Sequence, residues 1–64
     1  MSKEEIVKLM CDTVDEYNRQ SAAHNNYPID QMEEFILAGR EQMEHVNGII
    51  YDVLKHNGII TEWN

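Results

Sequence analysis

Cysteine, basic side chains and long apolar runs are all scarce in this chain, and each scarcity closes off a class of protein. The single cysteine, Cys11, permits no disulfide within sixty-four residues, so a reducing, intracellular setting is expected. No apolar run approaches the roughly 18 residues of a membrane span, and Met1 is followed by Ser-Lys-Glu-Glu, unlike a secretory leader; the expected location is the cytoplasm. Lys and Arg total 5 against 12 Asp and Glu, a formal charge of -7. That excess speaks against direct nucleic-acid or anionic-membrane ligands and is compatible with a basic protein surface as partner. No glycine-rich phosphate loop and no Gly-x-Ser-x-Gly elbow is present. The length allows one domain, residues 1–64, with a core so modest that a second chain is a common remedy.

What is abundant is helical periodicity. Met32, Ile36, Gly39, Met43, Val46, Ile50 and Val53 return at alternating steps of four and three, the apolar seam of a helix in coiled-coil-like contact. Phe35, Ile49 and Leu54 widen the seam, and Glu33, Glu34, Glu41, Glu44 and Asp52 fall on the opposite face. Upstream, Ser2 and Glu5 have capping-box spacing. The helix they open carries Ile6, Met10, Val14 and Tyr17 on one face, with Thr13 in the seam and Leu9 and Val7 at its edges. His24-Asn25-Asn26-Tyr27-Pro28 ends that helix, because proline disfavours helical geometry at the preceding residue. Asp30 and Glu33 offer a second capping box. The expected fold is therefore all-α: an antiparallel hairpin of helices over about 3–23 and 31–57, a short C-terminal tail, and dimerisation into a four-helix bundle.

Three local features qualify that reading. Gly39 lies on the seam, where the missing side chain suits a close helix crossing, while Gly48 after Asn47 points outward and is a place for a kink. Phase is kept through Gly48 to Ile50 and Val53, which favours a continuous helix. Asn57-Gly58 closes it, and a left-handed Gly58 sets Ile59 to meet Leu54. The apolar tail Ile59-Ile60-Thr61-Glu62-Trp63 is expected to fold back over the hairpin. The rival is a β-hairpin, Ile49–Leu54 paired with Ile59–Trp63 across an Asn-Gly turn; the 3.6-residue period of the preceding segment favours the helix.

Candidate chemistry is thin. Asp12 with Asp15 and Glu41 with Glu44 have the i,i+3 spacing of bundle metal ligands, but both pairs project off the apolar stripes, toward water, and no Glu-x-x-His motif accompanies them. His45 and His56 each follow a carboxylate by one turn and lack the three or four convergent ligands of a zinc site. Cys11, at the edge of a helix face, has no base brought to it by the pattern. No metal site, cofactor or catalytic residue is expected, and the chain is not expected to be an enzyme. Metal- or small-ligand binding in a helical bundle stays as a minor alternative.

The phrase Ile49-Ile50-Tyr51-Asp52-Val53-Leu54-Lys55-His56-Asn57-Gly58-Ile59-Ile60-Thr61-Glu62 resembles the helix-then-Gly-Ile-Ile-Thr-Glu ending of many small bacteriophage proteins. Short length and strong acidity likewise resemble phage-encoded inhibitors of host enzymes, anti-CRISPR proteins among them. The resemblance covers about a quarter of the chain and carries over no functional residue. The resemblance implies action in the host cell cytoplasm, and the one-sided acidic surface on so small a chain leads to the expectation of an inhibitor or sequestering protein that occupies a basic, nucleic-acid-binding surface of a partner by presenting carboxylates in place of phosphates. The residues read as that contact surface are Glu33, Glu34, Glu41 and Glu44, with Asp12, Asp15 and Glu16 as a second strip and Tyr51, Phe35 or Trp63 as apolar anchors at the rim. The alternative, from periodicity alone, is a structural oligomerisation module using Met32 to Val53 as a homodimer seam.

Overall fold

Ser2 starts the first helix as its spacing predicts. Its hydroxyl accepts the Glu5 amide at 3.1 Å, and the Glu5 carboxylate accepts the Ser2 amide at 3.2 Å. In a computed structural model that describes residues 1–60, α1 runs Lys3–His24 and α2 runs Ile29–His56, packed as an antiparallel hairpin. Four residues join them. Asn26 takes a left-handed conformation (φ 56), the Tyr27 amide donates to the Ala22 carbonyl at 2.8 Å, and the Asn26 amide donates to the Ala23 carbonyl. That is a Schellman ending with asparagine in the place glycine usually holds. The second helix ends the same way. Gly58 is left-handed (φ 74), and the Ile59 and Gly58 amides return to the Leu54 and Lys55 carbonyls.

The start of α2 differs from expectation. Pro28, with its fixed φ, is the residue before the helix, and no side chain caps it. Asp30 lies in the first turn, where its charge favours the positive end of the helix dipole. Glu33 does not reach back to cap anything, because Arg19 of α1 takes it instead. The helix is continuous through Asn47-Gly48 to His56, so neither the kink nor the strand pairing of Ile49–Leu54 is found.

The hairpin contact does not run along the predicted seam. On α2 it runs through Ile36, Arg40, Met43, Asn47, Tyr51 and Leu54, at about 100° per residue roughly 60° round from the seam's centre. Ile36 and Met43 turn inward, Met32 is half-buried, and Gly39, Val46, Ile50 and Val53 are left exposed. On α1 the buried residues are Ile6, Cys11, Asp15 and Ala22, whereas Leu9 and Tyr17 lie in water. Cys11, expected at an edge, is fully buried.

The apolar core sits at the end away from the turn. Ile6, Tyr51 and Ile60 form it, with Val7, Met10 and Leu54 packed against it. Ile60 is the tail residue that folds back and buries; Ile59 stays exposed, and its amide donates to the Leu54 carbonyl. The expectations for Thr61, Glu62 and Trp63 lie outside the described residues.

Candidate functional site

Arg40 organises one long side of the hairpin. One guanidinium nitrogen meets Asp15 at 2.6 Å and Asp12 at 3.0 Å across the helix interface, and Nε meets Glu44 one turn along α2 at 3.3 Å. These contacts hold the Arg40 pKa above its ordinary value, with the Asp15 and Asp12 hydrogen bonds as the largest causes. Asp12 is also bonded to Lys8 at 2.7 Å, and Lys8 and then Arg40 lower its pKa. Toward the turn, Arg19 binds Glu33 with two nitrogens, at 2.8 and 3.2 Å, which lowers the Glu33 pKa. Toward the other end, Lys3 pairs with Asp52 at 2.9 Å and stands 5.8 Å from the centre of the Tyr51 ring, with Lys55 at 5.9 Å.

The acidic contact surface expected from sequence is therefore largely occupied within the molecule. Glu33 belongs to Arg19, and Asp12, Asp15 and Glu44 belong to Arg40. Asp15, expected to face water, is buried in the interface. Glu16 accepts from Gln20 and lies 4.0 Å from Arg19. Glu34 and Glu41 are exposed and form no ion pair among the described residues. The carboxylates that spacing singled out for a metal thus gather round a guanidinium, and among the described residues no group of three or more His, Cys, Asp or Glu side chains is placed to hold a metal ion.

The residues that sequence reasoning missed are Arg40, Asn47 and Cys11. The Asn47 amide nitrogen donates to the Cys11 sulfur at 3.2 Å, buried, so the interface carries a second polar pair beside Asp15–Arg40. A signal was present. Arg40 and Asn47 are seven residues apart, on the same helical line as Ile36 and Leu54, and a polar pair on that line reads as an interface device.

The other long side has the opposite character. At about 100° per residue, Asp30, Glu33, Glu34, Arg40, Glu41, Glu44, Asp52 and Lys55 all fall within about a third of the α2 circumference. The remaining arc holds Met32, Phe35, Gly39, Gln42, Val46, Ile49, Ile50 and Val53, and no Asp, Glu, Lys or Arg. Two open grooves run along it beside α1. One, of about 370 Å³, is lined by Val14, Phe35, Gly39, Met43 and Val46 among others, with the buried, Arg40-paired Asp15 at its floor as the one charged residue; the next, toward the open end, by Leu9, Met10, Val14 and Ile50. Phe35 is 65% exposed and Val46 40%. A Cβ built on Gly39 meets nothing within 4 Å. Gly39 therefore marks no crossing with α1, and the expected close approach of another backbone is not made inside the hairpin. No helix among the described residues is long and apolar enough to cross a membrane. No protein-family model, no curated protein and no solved structure matches the chain.

Proposed function

We propose that this chain is a non-enzymatic protein-binding module that works through its uncharged side. The observation that carries the reading is the contrast just described. Asp12, Asp15, Glu33 and Asp52 are taken up in ion pairs that hold the two helices together, while a continuous apolar strip on the same two helices is left in water. Monomeric proteins rarely expose a contiguous apolar patch beyond a few hundred Å² unless something binds there. Leaving a large apolar side chain in water forgoes about 1.5–3 kcal/mol of burial each, so a partner helix laid along Val46 and Ile50 has a clear driving force.

A second reading keeps the acidic side as the contact surface for a basic protein, as in an inhibitor that occupies a nucleic-acid-binding groove. It is favoured by the net charge of -7 and by the free carboxylates of Glu34 and Glu41. It asks those two, with Glu16, to supply what seven residues were expected to supply, and exposed ion pairs contribute only about 0–1 kcal/mol each.

Site-specific photo-crosslinking separates the two. A photoreactive phenylalanine analogue placed at Val46 or at Glu41, in cells that express the chain, should give a protein adduct from position 46 and little from position 41. Adducts from 41 alone would move the working surface to the acidic side.

A further inference from the structure

We propose that the occupant of the uncharged side is a second copy of this chain, with its α2 laid antiparallel on the first about a two-fold axis between Gln42 and Met43. The inference rests on the docking-surface reading above and adds the partner and the register.

A two-fold interface must be complementary to itself: if one residue meets another, the reverse contact is made as well. The exposed strip of α2 has that property. Turned end for end about the Gln42–Met43 midpoint, Met32 faces Val53 of the second copy, Phe35 faces Ile50, and Gly39 faces Val46. Each pairing joins an apolar side chain to another, or to the glycine. Gly39 supplies a depression with open space above it, opposite a β-branched side chain that stands exposed in the isolated hairpin. Val14 of α1 lines both grooves, beside Met43 and Val46 in one and Ile50 in the other, so α1 adds apolar surface at the level of the proposed axis.

Charge and area agree with this choice. Two chains of net charge -7 repel least when their acidic sides face apart, and this geometry turns both charged arcs of α2 outward. A hetero-partner that selects by charge would find no Asp, Glu, Lys or Arg on this strip of α2 to read. The chain exposes 5032 Å², roughly 800 Å² above the about 4,200 Å² of a compact monomer of this mass. A standard interface removes about 800 Å² from each partner. The radius of gyration, 13.9 Å, is likewise above the about 11 Å of a compact chain of this length. A second hairpin stacked on the open side would cover area of that order.

The test combines sedimentation equilibrium with disulfide trapping, using the whole chain. Wild type at micromolar concentration should sediment at about twice 7.5 kDa. Gln42→Cys, beside the axis, should form disulfide-linked dimers on mild oxidation. Glu41→Cys, on the charged arc, should not, and Cys11 is fully buried in both variants. Gly39→Leu should leave the helical circular-dichroism signal intact, because the added side chain meets open space in the hairpin, and should weaken dimerisation by roughly tenfold or more by overfilling the site opposite Val46. A folded monomer at all concentrations, or trapping through Glu41→Cys in place of Gln42→Cys, overturns the second copy and this register. If position 46 nonetheless photo-crosslinks to a different protein, the docking surface stands and only the identity of its occupant falls.

Discussion

On one long side of the hairpin a single arginine, Arg40, gathers Asp12, Asp15 and Glu44; on the other, Phe35, Val46, Ile50 and Val53 stand in water beside a bare glycine. Both sides come from the same two helices, and the difference lies in which groups the intramolecular contact consumes. The hairpin closes along a line set by polar pairs, Asp15–Arg40 and Asn47–Cys11, and so takes only one edge of each apolar stripe. The lesson concerns availability. An acid-rich composition does not by itself provide an acidic docking face, because the carboxylates can be spent on holding the fold. An apolar seam does not by itself provide a core, because most of it can be left over.

The comparison breaks hardest at Arg40. Arg40→Ala leaves Asp15 buried without its partner and should destabilise the hairpin by about 2–3 kcal/mol in urea unfolding. Arg40→Met with Asp15→Leu should recover most of that loss, since an apolar pair of similar volume replaces a costly ionic one. Equal stability of Arg40→Ala and wild type would show that the cluster is an exposed ornament.

On the opposite side, Val46→Glu should barely disturb the isolated hairpin, where Val46 is 40% exposed, yet should abolish docking by placing a carboxylate against an apolar neighbour. Unchanged sedimentation and crosslinking in this variant would remove the uncharged side from consideration. Glu34→Lys with Glu41→Lys is the mirror experiment. Helicity and docking should persist, whereas a basic partner would be lost. Glu44→Lys is unsuited to that purpose, because it also faces Arg40 at 3.3 Å.

A smaller effect is expected from acid. The folded pKa values of Asp12 and Glu33 lie below their ordinary 3.8 and 4.5, through Lys8 and Arg40 in one case and Arg19 in the other. A lowered folded pKa gives stability that is complete above the unfolded value and is lost as pH falls through the folded one. Thermal melts should therefore be flat from neutrality to about pH 5 and decline below about pH 4, less steeply when salt screens these exposed pairs. Melting temperatures that rise on acidification would contradict the assignment. The smallest effect is a gain. Gly48→Ala meets only the Lys3 side chain at 4.0 Å and should add up to about 1 kcal/mol by raising helix propensity; a loss there would mean that the helix breaks at Asn47-Gly48.

The features legible in the sequence are those decided within a few residues. The Ser2–Glu5 box, the stop at Asn57-Gly58 and the unbroken phase through Gly48 depend on local hydrogen bonding and on period, and the structure has all three. The existence of an apolar stripe on each helix was legible too. Which edge of that stripe meets the other helix was not, because residues 25 and 36 positions apart decide it, Asp15 with Arg40 and Cys11 with Asn47. The same blindness misplaced Glu33, whose spacing fits a cap for Asp30 as well as it fits a salt bridge to Arg19. For the site, the candidate acids were correctly seen as carboxylates on helices; that one guanidinium would take three of them required the fold.

The position of the apolar cluster bears on how the chain folds. Ile6 and Ile60, which close it with Tyr51, come from opposite ends of the described chain, while the contacts nearest the turn are Ala22, Ile36 and the Arg19–Glu33 pair. Zipping from the Asn26 turn is cheap in loop entropy at first and buries Ala22, Ile36 and Cys11 on the way, but the apolar cluster forms only when the last turns of both helices meet. The extra loop cost of reaching that far is small, because it grows only with the logarithm of length. The apolar cluster therefore closes last on this route, after the Asp15–Arg40 and Cys11–Asn47 pairs have set the register of the two helices.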